Sequence, residues 1–112
     1  MNLLKSLFGS SGSSLTAAEA KSRLDNDHTL YVLDVRQPEE YRAGHIAGAT
    51  LVPLNQLGQL LDKLPQDREI LCVCQSGSRS SAAVRQLASA GYKAINLSGG
   101  MGGWQRAGYP VK

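Results

Sequence analysis

Residues 69–82 read EILCVCQSGSRSSA, and the fold follows from this stretch. Glu69 to Cys74 is a short apolar run, the signature of a strand buried on both faces. Gln75 to Arg79 is small and polar, with Gly77 at its centre, and reads as a tight loop. From Ser80 to Ala90 the chain becomes alanine-rich and helical, and Gly91 suits the left-handed position that ends a helix. Strand, loop and helix therefore follow one another directly. A strand buried on both faces needs helices above and below it, which is the environment of a parallel sheet.

The same alternation extends outward. Leu30 to Val35 (LYVLDV) predicts a strand. Pro38 opens a short helix, PEEYRA, which Gly44 ends. Thr50 to Val52 is a further strand before Pro53. Leu57, Leu60, Leu61 and Leu64 fall at helical spacing, predicting an amphipathic helix over residues 55–64 that stops before Pro65. Ala94 to Leu97 is the last strand, followed by the glycine cluster SGGMGGW and a short helix around Trp104. Upstream, Thr16 and Glu19 form a capping-box pattern that opens a helix to about Asn26. Gly9 to Ser14 reads as a Gly/Ser linker, so residues 1–14 are expected to be a flexible N-terminal segment and residues 15–112 the folded domain. Residues 1–8 read better as a frayed terminus than as an amphipathic docking arm. The predicted class is α/β, with a parallel or mostly parallel sheet and helices on both faces.

With 112 residues, the chain supports one hydrophobic core. Its 42% hydrophobic and 19% charged residues match an ordinary globular protein rather than a disordered or fibrous one. No apolar run reaches the roughly 18 residues of a membrane span. The net charge of +3 is unevenly placed. Residues 1–69 carry 7 basic and 9 acidic side chains, whereas residues 70–112 carry Arg79, Arg85, Lys93, Arg106 and Lys112 and no Asp or Glu. That asymmetry points to a small-anion site in the second half rather than to nucleic acid. The two cysteines, Cys72 and Cys74, are too few for a disulfide framework, and their i, i+2 spacing on one strand disfavours a bridge. The Ser/Gly run after Phe8 interrupts any signal-peptide pattern, so the expected compartment is the cytoplasm.

The chemistry concentrates at Cys74. A thiol at the C-terminal end of a buried strand, ahead of a Gly/Ser/Arg loop and a helix N-terminus, sits where open α/β sheets bind ligands. Loop N–H groups curling around Gly77 and the positive end of the helix dipole lower a thiol pKa. A drop of about two units favours the thiolate by about 2.7 kcal/mol. Arg79 adds a full positive charge to the loop. Cys72, mid-strand between Leu71 and Val73, reads as core packing.

CQSGSRS (residues 74–80) resembles the active-site loop of the rhodanese family of single-domain sulfurtransferases. Two further stretches are similar to the family in the same order: LDVRQPEEYRAGHIAGATLVPL (33–54) and LSGGMGGWQRAGYPV (97–111). The resemblance implies a rhodanese-like, five-stranded sheet and a cysteine that carries sulfane sulfur as a persulfide. Carried onto this chain, the persulfide residue is Cys74 and the cradle is Gln75, Ser76, Gly77, Ser78 and Arg79. It implies a small anionic sulfur donor such as thiosulfate, or a persulfide, and a thiol or cyanide acceptor, with no metal or organic cofactor.

Four residues separate Cys74 from Arg79, where cysteine phosphatases place five. The tighter ring suits the single outer atom of a persulfide better than the three equatorial oxygens of a phosphate. A phosphatase or arsenate reductase on the same scaffold is the weaker alternative, alongside a non-catalytic or partner-dependent sulfur-carrier or binding module. Asp34 and Arg36, in the LDVR stretch, are expected to brace the loops at the strand ends. Ser80 is suited either to donate its hydroxyl to the anion or to begin the helix. His45 reads as a packing or hydrogen-bonding residue and Trp104 as a core anchor. Oligomeric state, physiological donor and acceptor stay open.

Overall fold

The computed structural model describes residues 13–112; the expectations for residues 1–12 lie outside them. The elements in chain order are β1 (Ser14–Leu15), α1 (Ala17–Asn26), β2 (Tyr31–Asp34), α2 (Pro38–Ala43), β3 (Thr50–Leu51), a 3-10 helix (Leu54–Lys63), β4 (Glu69–Val73), α3 (Ser78–Ser89), β5 (Lys93–Leu97) and α4 (Gly100–Arg106). The five strands form one sheet in the order β1-β5-β4-β2-β3, and every pairing is parallel. The fold is α/β with an all-parallel sheet, as the strand and helix pattern predicts, and the five strands match what the resemblance implies.

Alternation along the central strand β4 builds both core layers. Ile70, Cys72 and the following Cys74 face one way, with Leu33, Val35, Ala83, Val84, Leu87 and the leucines of the 3-10 helix. Leu71 and Val73 face the other, with Ala20, Val32, Ile95, Leu97, Met101 and Trp104. Successive strand side chains point to opposite faces, so one five-residue apolar strand anchors both layers. Trp104 is buried and its indole N–H donates to the Pro110 carbonyl at 2.9 Å, which ties the last residues to α4.

Local signals set several boundaries directly. Thr16 and Glu19 form the reciprocal capping box of α1, at 3.1 and 2.9 Å. Pro38 sits in the first turn of α2, and Gly44 ends it. Three expectations are corrected. Ser14, placed in the linker by composition, is a strand residue: Ser14 and Leu15 pair with Asn96 and Leu97, and the Ser13 carbonyl accepts from Asn96 N at 3.0 Å. A two-residue strand carries no pattern of its own and exists only through its partner. The helix expected over 55–64 is a 3-10 helix over Leu54–Lys63. It crosses from the sheet edge at β3, over β2, to β4; the larger rise of a 3-10 helix lets ten residues reach about 20 Å instead of about 15 Å. The Tyr92 hydroxyl holds this segment by donating to the Leu61 carbonyl. Finally, α3 begins at Ser78 rather than Ser80, because Gly77 takes the left-handed conformation (φ 105°) and acts as N-cap.

Candidate active site

The C-terminal ends of β4 and β5 meet at Cys74. Its carbonyl accepts from Met101 N at 2.8 Å, and the next carbonyl, of Gln75, accepts from Gly102 N at 3.0 Å. The first amides of α4 thus hold the path of the loop after β4. This approach has no room for a side chain at Gly100, where a Cβ would lie 2.4 Å from the Cys74 carbonyl oxygen and 2.6 Å from that of Gln75. Gly100 also has φ 58°. The glycine cluster is therefore a docking surface for the backbone of the loop after β4.

Cys74 Sγ is buried and surrounded by donors. Gly77 N lies at 3.1 Å, Ser80 N at 3.3 Å and Ser80 Oγ at 3.3 Å. Burial is the largest single influence on the thiol and pushes its pKa up. The Ser80 hydroxyl, then the amides of Ser80, Gly77 and Ser76, together outweigh it and leave the thiol below its ordinary value. These donors sit at the N-terminus of α3, Gly77 as its N-cap and Ser80 in its first turn, where unpaired N–H groups and the dipole favour a negative charge. Cys72 behaves oppositely. Burial, followed by the neighbouring Cys74 charge, pushes its thiol up to about 12. Both cysteines are free.

Ser80 is itself positioned by a residue the sequence reading passed over. Its hydroxyl lies 2.5 Å from Asn96 Oδ1, while Asn96 Nδ2 donates to the Gly77 carbonyl at 3.3 Å and to Ser81 Oγ at 3.2 Å. Those two acceptors fix which end of the amide faces Ser80. The hydroxyl has one proton and two acceptors. It can donate to Cys74 Sγ or to Asn96 Oδ1, one at a time. Asn96 sits mid-β5, facing α3, and a lone amide in an apolar strand was its only signal.

Arg79 is turned to an unforeseen partner. Both of its terminal nitrogens bond to Glu40, at 2.8 and 2.9 Å. Arg79 is the first cause that holds the Glu40 carboxyl down to about 2, with the Gln37 amide assisting. Glu40 also closes the capping box of α2 on Gln37 N at 2.9 Å. Gln75, Ser76 and Ser78 are exposed at the loop surface. Asp34 and Arg36 are buried together at the end of β2. Arg36 reaches Asp34 through Nε (2.9 and 3.2 Å) and a terminal nitrogen (2.8 Å), and that nitrogen also donates to the Gly44 carbonyl at 2.8 Å. This pair joins the end of β2 to the end of α2. His45 stacks on Tyr41 with ring centroids 3.7 Å apart, and its Nδ1 lies 2.8 Å from the Tyr41 carbonyl.

A thiol below its ordinary pKa in a ring of amides, on a five-stranded parallel sheet, has clear relatives. The Rhodanese-like domain family matches residues 16–107. The chain belongs to the rhodanese family. The putative sulfurtransferase YtwF of Bacillus subtilis is 32% identical over 91 residues, covering 81% of this chain and 88% of that protein. The probable adenylyltransferase/sulfurtransferase MoeZ of Mycobacterium tuberculosis is 38% identical over 102 residues, covering 88% of this chain; the chain spans 26% of MoeZ. Among solved structures, a rhodanese-related protein from Thermoplasma volcanium superposes with a TM-score of 0.84 at 33% identity, covering 89% of this chain and 97% of that one. Relatives of this rhodanese domain thus occur both as chains of similar length and as a portion of a longer protein. No described helix is long and apolar enough to cross a membrane.

Proposed function

We propose that this rhodanese domain is a sulfurtransferase that carries sulfane sulfur on Cys74. The observation that carries the reading is the convergence of Gly77 N, Ser80 N and Ser80 Oγ on Cys74 Sγ, all within 3.3 Å. Preorganised donors of this kind stabilise negative sulfur without needing to reorganise during reaction. The Cys74 thiolate attacks the outer sulfur of a donor such as thiosulfate. A Cys74–sulfur bond forms, the donor's S–S bond breaks, and sulfite leaves with the electron pair. A nucleophilic acceptor then attacks the terminal sulfur. With cyanide, a carbon–sulfur bond forms, thiocyanate departs and the Cys74 thiolate is restored. The donors around Sγ hold the thiol below its ordinary pKa and so favour the attacking thiolate without a dedicated base. Small thiols are the acceptors of the same class in a reducing compartment, and the cytoplasm fits a reaction carried by a free thiol.

The four-residue spacing from Cys74 to Arg79 supports sulfur over phosphorus. Asp34 and Arg36 brace the end of β2 against the end of α2, and Ser76, Gly77 and Ser80 form the cradle. The domain spans residues 15–112, with Ser14 contributing its strand pairing. Incubation with thiosulfate followed by intact-mass measurement is expected to show one added sulfur, removed by cyanide as thiocyanate. Cys74→Ser should abolish both signals. Retained thiocyanate production in that variant would overturn the mechanism, and turnover of an aryl phosphate lost in Cys74→Ser would replace it with a phosphatase.

A further inference from the structure

Asn96 is a polar residue in a strand whose buried members, Ala94, Ile95 and Leu97, are apolar. Its backbone is fixed within the sheet, in register with Ser14 on β1 and Cys72 on β4, and its N–H donates to the Ser13 carbonyl at 3.0 Å. Its side chain reaches the N-terminal end of α3 at three points. Nδ2 donates to the Gly77 carbonyl and to Ser81 Oγ, which leaves Oδ1 facing the Ser80 hydroxyl at 2.5 Å. Gly77 itself rests on β5: a Cβ placed there would lie 3.6 Å from the Leu97 carbonyl oxygen and 3.8 Å from Asn96 Nδ2. The amide is therefore held in one orientation on a fixed strand. Its oxygen is aimed at the hydroxyl that also reaches Cys74 Sγ, at 3.3 Å.

Sulfur transfer moves charge on and off that sulfur. A thiolate is an anionic acceptor, and a stronger one than a neutral amide oxygen. The inner sulfur of a persulfide is neutral, because the charge lies on the outer atom, and a neutral sulfur is a weak acceptor. Ser80 is fully buried, so with only that sulfur beside it the hydroxyl would lose its hydrogen bond each time a persulfide formed. Asn96 Oδ1 is the other place for the proton to point.

We propose that Asn96 is a positioning residue for sulfur transfer, holding the Ser80 hydroxyl at the sulfur and taking its hydrogen bond for as long as Cys74 carries sulfane sulfur. When an acceptor attacks the outer sulfur, the S–S bond breaks and its electron pair passes to Sγ. The Ser80 hydroxyl then turns from Oδ1 to the new thiolate. No proton leaves Ser80; only the direction of its O–H changes. The donor is gained as charge appears on the leaving sulfur, so it favours discharge of the persulfide. In loading, the same donor is given up as the thiolate attacks, so it brings no acceleration there. This assignment rests on the sulfur-transfer reading.

The test uses wild type, Asn96→Leu, Ser80→Ala and their double variant. Asn96→Ala, which removes the amide without filling its place, carries the same expectations where Asn96→Leu does not fold. Cys72 and Arg79, which also act on the Cys74 charge, stay in place throughout. Intact mass follows iodoacetamide alkylation across pH, sulfur loading from thiosulfate, and cyanide discharge of the preloaded protein. Without the amide the Ser80 hydroxyl turns to the backbone of its own helix, so Asn96→Leu should raise the alkylation profile by about one pH unit, as Ser80→Ala does. A more basic thiolate is the better nucleophile and the poorer leaving group. Discharge should therefore slow about fivefold, while loading per thiolate should be unchanged or up to about threefold faster. The double variant should match Ser80→Ala within about twofold. Loading and discharge slowed together would mark a loosened cradle and overturn the assignment. So would an unmoved or lowered alkylation profile, or a double variant whose losses multiply. Each of those results leaves sulfur transfer standing if wild type loads and discharges. A wild type that takes up no sulfur from thiosulfate or an alkyl persulfide removes the sulfur-transfer reading, and this assignment falls with it.

Discussion

Glu40 grips Arg79 through both carboxylate oxygens, at 2.8 and 2.9 Å, and so ties the helix after β2 to the loop after β4. One residue comes from the acid-bearing half of the chain and the other from the half with no acid. Their pairing turns the most conspicuous charge of the loop into a structural brace.

Glu40→Gln separates brace from cap, because glutamine can still close the capping box on Gln37 while losing the ionic pair. Both side chains are partly exposed, at 30% for Glu40 and 37% for Arg79, so solvent screening limits the loss to about 1 kcal/mol at pH 7. The sign follows from a carboxyl held below its ordinary 4.5, at about 2. The pair contributes fully above pH 4.5, and its contribution fades as pH falls through about 2. Urea unfolding of wild type and variant at pH 7, 4 and 2.5 should show a gap that begins to narrow at pH 4 and is largely gone at pH 2.5.

Ser80→Ala removes the hydroxyl from Cys74 Sγ while leaving the Ser80 amide in place. A hydrogen bond to a charged acceptor contributes about 1.5 kcal/mol, so alkylation of Cys74 at pH 7 should slow roughly tenfold. Its pH profile should move upward. Cys72, with a thiol near 12, should label only in denaturant. Mass spectrometry after iodoacetamide reads both sites, and an unmoved profile would remove Ser80 from the cradle.

Gly100→Ala and Gly108→Ala form a matched pair. Both positions have positive φ, 58° and 82°, but a Cβ at Gly108 meets nothing within 4 Å, whereas at Gly100 it strikes the Cys74 and Gln75 carbonyls. Gly108→Ala should cost about 1–2 kcal/mol of backbone strain alone. Gly100→Ala should cost about 2–4 kcal/mol and also displace the active loop, abolishing sulfur loading. Equal thermal and loading effects in the two variants would show that the close approach is unimportant.

Arg36→Met leaves the Asp34 carboxylate buried with its charged partner gone, at a cost of about 3–5 kcal/mol. The double variant Asp34→Asn, Arg36→Met should lose less than the sum of the two single changes. A double-mutant cycle by chemical denaturation checks this. Additive losses would mean that the pair is not coupled.

Much of this was legible along the chain. Thr16 with Glu19, Pro38 with Gly44, and the apolar run ending at Cys74 are local signals, because caps, prolines and side-chain period act over a few residues. They place the strands and most helices, and they put a thiol at a strand end ahead of a helix N-terminus. The sequence by itself determined the α/β alternation and singled out the cysteine proposed to carry sulfur. Tertiary structure alone decided the rest. Ser14 becomes a strand residue only because Asn96 and Leu97 lie beside it. Arg79 is a brace only because Glu40, 39 residues away, reaches it, and Ser80 aims at the sulfur beside an Asn96 on a different strand. The reason is physical. Backbone preference is settled between near neighbours, whereas the orientation of a charge or a hydroxyl is settled by whichever partner the folded chain brings within 3 Å.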